Sequence, residues 1–228
     1  MKNKKYSIED LIQIMNDLRD KCPWDKKQTL NSLKSLTIEE AYELIEAIDK
    51  EDYNEIKEEL GDLLLHVVFY SKIASEINQF NFDDVVESLI KKLIYRHPHI
   101  YSDEKVNNED DVKKNWEKLK SKKSNKGILD GVPNNLPTLI KTIRVQEKVA
   151  SIGFDFKNIN ESINKVIEEY NEFSKALISK EKTEVEEEFG DLLFSLVNYS
   201  RHIGVDSNEC LKNSTNKFIS RYKKLEKI

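Results

Sequence analysis

Eight carboxylates in this chain have a spacing that could do chemistry. Glu40, Glu43, Glu59 and Asp62 form an E-x-x-E pair followed by an E-x-x-D pair, and Glu169, Glu172, Glu188 and Asp191 repeat the arrangement. Each residue of the second set stands 129 positions after its counterpart, Glu169 after Glu40 and Asp191 after Asp62. Without His or Cys, such a set offers only hard oxygen ligands, which suit Mg²⁺ or Mn²⁺. Packing the acids together demands a cation. Two like charges about 4 Å apart repel by about 4 kcal/mol at an effective dielectric of about 20.

A single E-x-x-E is ordinarily a solvated helix face, but its recurrence at the same phase argues against that. A capping box from Thr37 to Glu40 is a second ordinary reading. It fails in the second copy, where Val166 replaces Thr37. Gly61 and Gly190 lie inside the two E-x-x-D segments. Glycine within a helix costs about 1 kcal/mol against alanine, and close helix packing is its usual justification.

The elements that must position these acids are helical hairpins. Ala41, Leu44, Ile45 and Ile48 recur at helical spacing, and so do Leu60, Leu63, Leu64 and Val67. Tyr170, Phe173, Ser174 and Leu177, then Phe189, Leu192, Leu193 and Leu196, follow the same rule. The short link at 49–52 makes the first two helices antiparallel neighbours. In each pair the first acid precedes its stripe by one residue and the second follows one turn later. All four then share one flank, and antiparallel packing gathers them along one edge.

The rest of the chain is helical in character. Only 6 Gly and 4 Pro occur in 228 residues, which favours long helices over sheets. A first helix is expected over 7–20, with Ser7 as its cap and Ile8, Leu11, Ile12 and Met15 as its stripe. A loop over 21–29 carries Trp24, whose ordinary role is to plug a core edge and whose alternative is to stack on a base. Asp83 or Asp84 opens a helix that ends at the His97-Pro98 step. His97 and His99 read as structural or interfacial, since the E-x-x-H of di-iron bundles is absent. A short charged helix over 110–120 and a linker over 121–137 precede the second unit. Its loop over 151–157 carries Phe154 and Phe156, and a last helix starts near Ser207. The expected domains are therefore 1–120 and 138–228.

Lys92 and Arg96, and in parallel Lys217 and Arg221, stand one turn apart on one helix face. Each pair is either a solvated basic face or a clamp for triphosphate oxygens. Net charge of −5 gives no nucleic-acid footprint. No apolar run spans a membrane, no signal peptide is evident, and Cys22 and Cys210 belong to no pairing motif, so a reducing cytoplasm is expected. A P-loop is also absent. An acidic metal edge beside basic pairs and aromatics points to a metal-dependent phosphoanhydride hydrolase. The residues alone leave open which bond breaks.

The chain resembles the MazG family of nucleoside triphosphate pyrophosphohydrolases. Cys22-Pro23-Trp24-Asp25, Glu58 to Leu64, Arg96-His97-Pro98-His99, Gly153-Phe154-Asp155 and Glu187 to Phe194 look like that family in the same order. The resemblance implies an all-α fold of two tandem MazG-like bundles, an intertwined homodimer, and cleavage between the α and β phosphates to a nucleoside monophosphate and pyrophosphate. It assigns Mg²⁺ to Glu169, Glu172, Glu188 and Asp191, with Glu168 and Glu187 supporting the ligands or acting as base. Lys217 and Arg221 would contact the triphosphate. Glu40, Glu43, Glu59, Asp62, Lys92 and Arg96 would take the same roles in the first copy. Family members of this form look longer at the C-terminus, with a segment containing Trp and Lys. Two alternatives stand beside this reading: a non-enzymatic helical regulator that binds nucleotide or protein, and a narrower deoxynucleotide pyrophosphatase of the helical dUTPase type.

Overall fold

In the computed structural model, the residues described are 5–102, 127–179 and 181–226, with Asn108, Val112, Asn115, Trp116 and Leu119 between them. The helix expected over 110–120 and the first part of the expected linker fall largely outside them. The described residues are mostly helical, with no strand among them. The chain divides into two compact units, Met1–Tyr101 and Ser102–Ile228.

Unit one contains α1 (Ile8–Lys21), a short 3-10 turn at Asp25–Lys27, α2 (Lys34–Asp49), α3 (Tyr53–Glu76), α4 (Phe82–Arg96) and α5 (Pro98–Tyr101). Ser7 caps α1, accepting from the Asp10 N–H while the Asp10 carboxylate accepts from the Ser7 N–H. Asn81 and Asp84 form the same box on α4, so that helix opens at Phe82, ahead of the expected Asp83 or Asp84. Asp52 caps α3. Thr37 is no cap: it lies inside α2 and its hydroxyl donates back to the Leu33 carbonyl.

The core of unit one is Met15, Leu33, Val68, Phe69 and Ile73, with Leu36, Leu65 and Tyr70 packed against it. The expected stripes on α2 and α3 are only partly inside. Ile45, Ile48, Leu60, Leu64 and Val67 are exposed. The reason lies in α3, which also packs on α1 and α4 and spends Val68, Phe69 and Ile73 there. Trp24 does not plug the core edge either; it is 56% exposed.

Unit two contains α6 (Thr138–Ala150), α7 (Ile159–Ser179), α8 (Lys182–His202) and α9 (Ser207–Leu225). Residues 127–137 form turns, fastened to α6 where the buried Lys148 ammonium donates to the Ile128 carbonyl at 3.0 Å. Gly153 closes α6 at φ 88°, in the left-handed region that favours glycine. The Phe154 N–H reaches the Val149 carbonyl and the Gly153 N–H the Ala150 carbonyl, the paired bonds of a Schellman stop. That stop turns Phe154, Asp155 and Phe156 back toward α8.

The interiors of the two units differ. Leu33, Leu36 and Phe69 of the first core correspond, 129 positions on, to Ser162, Lys165 and Asn198. Among the buried residues of unit two are Gln146, Lys148, Ser162, Glu169 and Ser195.

Candidate active site

The hairpins bring the predicted acids together in both units. In the first, carboxylate oxygens of Glu40, Glu59 and Asp62 lie within 4.8 Å of one another. Burial, then repulsion from Asp62 and Glu43, holds the Glu40 carboxyl above its ordinary value. Glu59 is raised by burial and by repulsion from Glu43. Glu43 therefore joins the set electrostatically.

Glu169 stands at the centre of the second set. Its oxygens lie within 4.8 Å of those of Glu188 and Asp191, and a second group with the same limit joins it to Glu168 and Glu172. It is only 6% exposed. Glu188 is pushed up by burial, then by repulsion from Glu172, Glu169 and Asp191. Lys165 Nζ answers part of this charge, 2.6 Å from Glu169 and 2.8 Å from Glu168. Those two partners raise the lysine pKa strongly, with the Glu168 bond the largest cause. Glu187 is exposed on α8 beside Glu188.

Gly61 and Gly190 do not mark close helix packing, since a Cβ built at either meets nothing within 4 Å. Lys217 and Arg221 are exposed on α9, and no ion pair joins them to the acids among the described residues. Lys92 is exposed on α4, with Arg96 half-buried at the end of the same helix. Beyond it, His97 caps α4 and bonds to the Leu93 carbonyl through Nδ1, and its ring lies 5.6 Å from that of His99. Both histidines thus sit where α4 gives way to α5.

A cavity of about 460 Å³ opens beside the second acidic set, and Glu169, Asp191 and Lys165 form part of its wall. Phe154, Phe156 and Phe194 supply apolar surface, while Gln146, Asn198, Asp155 and Arg201 supply polar groups. Asp155 is fixed by Arg201 at 2.7 and 2.5 Å and by His202 at 3.0 Å. The Arg201 hydrogen bond is the main reason its carboxyl falls below the ordinary value. In unit one the corresponding Leu36, Leu65 and Phe69 belong to the packed core. The hairpin motif marked the acids but missed this cavity. Two signals could have found it: the spacing of Lys165 three and four residues before Glu168 and Glu169, and polar residues where the other copy is apolar.

The acids are suited to a hard divalent cation, since they offer several oxygens and mutual repulsion that a cation relieves. The chain also matches known proteins over most of its length. The model of the MazG nucleotide pyrophosphohydrolase domain matches residues 28–101 and 157–226. A nucleoside triphosphate pyrophosphohydrolase of Escherichia coli (strain K12) is 38% identical over 97% of this chain and 88% of its own length. A nucleoside triphosphate pyrophosphohydrolase/pyrophosphatase MazG of Thermotoga maritima is 44% identical, over 100% of this chain and 89% of its own. A crystal structure of a mazG-related protein from Thermotoga maritima is similar with a TM-score of 0.44 and 26% identity, covering 50% of this chain and 98% of that one.

Proposed function

This chain belongs to the MazG nucleotide pyrophosphohydrolase family, and from that premise we infer that it is a nucleoside triphosphate pyrophosphohydrolase. We propose further that hydrolysis is Mg²⁺-dependent and falls between the α and β phosphates. The observation that carries this reading is the junction of the Glu169, Glu188 and Asp191 oxygens with a cavity of about 460 Å³. A triphosphate needs cations, a nucleoside needs an apolar slot with a few polar groups, and here the two adjoin.

In this reading Glu169, Glu172, Glu188 and Asp191 hold the cation. Bound there, Mg²⁺ would polarise a phosphate oxygen and lower the pKa of water. Glu168 and Glu187 flank the set and are the groups to accept the proton that water gives up. Water adds across the α–β bridge, leaving a nucleoside monophosphate and pyrophosphate. Lys165 is placed to exchange its carboxylates for phosphate oxygens. Lys217 and Arg221 would close over the triphosphate from α9, which requires movement or a second chain. The first unit fills the equivalent interior with Leu36, Leu65 and Phe69, which supports the second as the seat of turnover.

Exposed apolar residues on α2, α3, α7 and α8, among them Ile48, Leu64, Leu177 and Leu193, support a homodimer that covers these helices. No helix among the described residues is long and apolar enough to cross a membrane. Free thiols at Cys22 and Cys210 fit a reducing cytoplasm.

The test is a panel of ribo- and deoxynucleoside triphosphates, incubated with and without Mg²⁺ and followed by ³¹P NMR. Monophosphate and pyrophosphate should appear together, and only with the metal. Diphosphate and orthophosphate would overturn the cleavage site. Equal turnover in EDTA would overturn the metal. Activity confined to one deoxynucleotide would favour the narrower, dUTPase-type enzyme.

A further inference from the structure

Resting on that reading of the second unit, we propose that Gln146 and Asn198 read the hydrogen-bonding edge of the nucleobase, so that binding requires an N–H donor on the base. Gln146, on α6, is only 3% exposed and lines the cavity. Its Nε2 donates to the Phe194 carbonyl at 2.9 Å. That bond fixes the amide: the flipped form would set oxygen against oxygen. Oε1 is left buried with no hydrogen-bond partner. Native proteins rarely leave a buried acceptor unpaired, because the desolvation of that group is then uncompensated.

Asn198 lies one turn beyond Phe194 on α8 and lines the same cavity. Its Oδ1 accepts from Arg201 at 2.7 Å, which leaves its amide hydrogens to donate. Arg201 in turn is held by Asp155, so Asn198 cannot turn over without breaking a fixed pair. Gln146 thus keeps an unpaired acceptor, closed to solvent, at the cavity's edge, which a base N–H reaches by a small shift of the wall, and Asn198 keeps donors. Adenine and cytosine present an exocyclic amine beside a ring nitrogen acceptor; guanine and uracil present a ring N–H beside a carbonyl. Each matches this wall, while the phenyl rings of Phe154, Phe156 and Phe194 supply surface for the base faces. In unit one Phe69, in the core, stands where Asn198 does.

Binding is read by calorimetry with Mg²⁺ and α,β-methylene nucleotides, so turnover is not needed. The probes are α,β-methylene ATP against its purine riboside analogue, which lacks the amine, and α,β-methylene UTP against its N3-methyl form. The donor-free member of each pair should bind about 10- to 100-fold more weakly to the parent, because it leaves Oε1 unpaired. In Gln146→Leu and Gln146→Met the gap should shrink to about threefold or less, since no buried acceptor remains. Equal binding of both members to the parent overturns the proposal, even if neither variant folds. A gap that survives in folded Gln146→Leu overturns it as well. A gap present without pyrophosphate release would sink the hydrolase reading and leave the base pocket standing.

Discussion

Lys165 Nζ lies 2.6 Å from Glu169 Oε1, one helical turn away, and the carboxylate it meets is almost wholly buried. The counterpart of this lysine in the first unit is Leu36. Lys165→Leu therefore places an unpaired acid in unit two. Because the Lys165 side chain is 38% exposed and the pair is screened, the expected loss in metal-free buffer is about 1 kcal/mol. Mg²⁺ should restore more stability to the variant than to the parent, since the cation takes over the charge of the lost lysine. Thermal melts in EDTA and in Mg²⁺ check this, and identical melts for parent and variant would refute it.

Metal should stabilise the parent as well. At free Mg²⁺ 100-fold above its dissociation constant, linkage gives about 2.7 kcal/mol. The melting temperature should rise with MgCl₂ and stay put in NaCl of matched ionic strength. No rise at independently verified saturation would remove the linkage.

The pH dependence has opposite signs at two places in unit two. Glu188 is raised in the folded protein above its ordinary 4.5. Its stabilising contribution is therefore complete below that value and lost as pH rises through the raised one. Asp155 is lowered from its ordinary 3.8, mainly by Arg201. Its contribution is present above 3.8 and lost as pH falls through the depressed value. Without metal, Glu188→Gln should melt higher than the parent at neutral pH, and the difference should shrink as the pH drops toward the ordinary glutamate range. Asp155→Asn should melt lower at neutral pH and converge on the parent only in stronger acid. A lower melting point for Glu188→Gln at neutral pH would contradict the repulsion.

Lys217→Ala and Arg221→Ala should fold as the parent does, since both side chains are exposed on α9. A donor aimed at developing phosphate charge is typically worth about 10²–10³ in rate, and the loss should be of that order. Far-ultraviolet circular dichroism and pyrophosphate release measure the two halves of the prediction. Turnover within about twofold of the parent would reassign both residues to solvated surface.

Glu43→Gln and Glu172→Gln decide which unit works, because glutamine keeps the shape and removes one charge. Glu172→Gln should abolish most pyrophosphate release and Glu43→Gln should spare it. The reverse outcome would move turnover to unit one, and a half-loss in each would make both units active.

The repeated acids with their helical stripes determined the hairpins and their carboxylate edges. The reason is local: a residue three positions on falls on the same helix flank, whatever lies beyond it. Ser7 was legible as a cap on the same ground. Which face of each hairpin is buried was not local. Ile48 and Leu64 read as core yet stand exposed, because α3 must also satisfy α1 and α4. The cavity was likewise a tertiary product. It joins α6, the turn at Gly153, α7 and α8, and depends on the Arg201–Asp155 pair that spans 46 residues. Only folding sets Gln146 beside Phe194 and leaves its oxygen unpaired, since burial is a property of the assembled helices and no spacing along the chain encodes it.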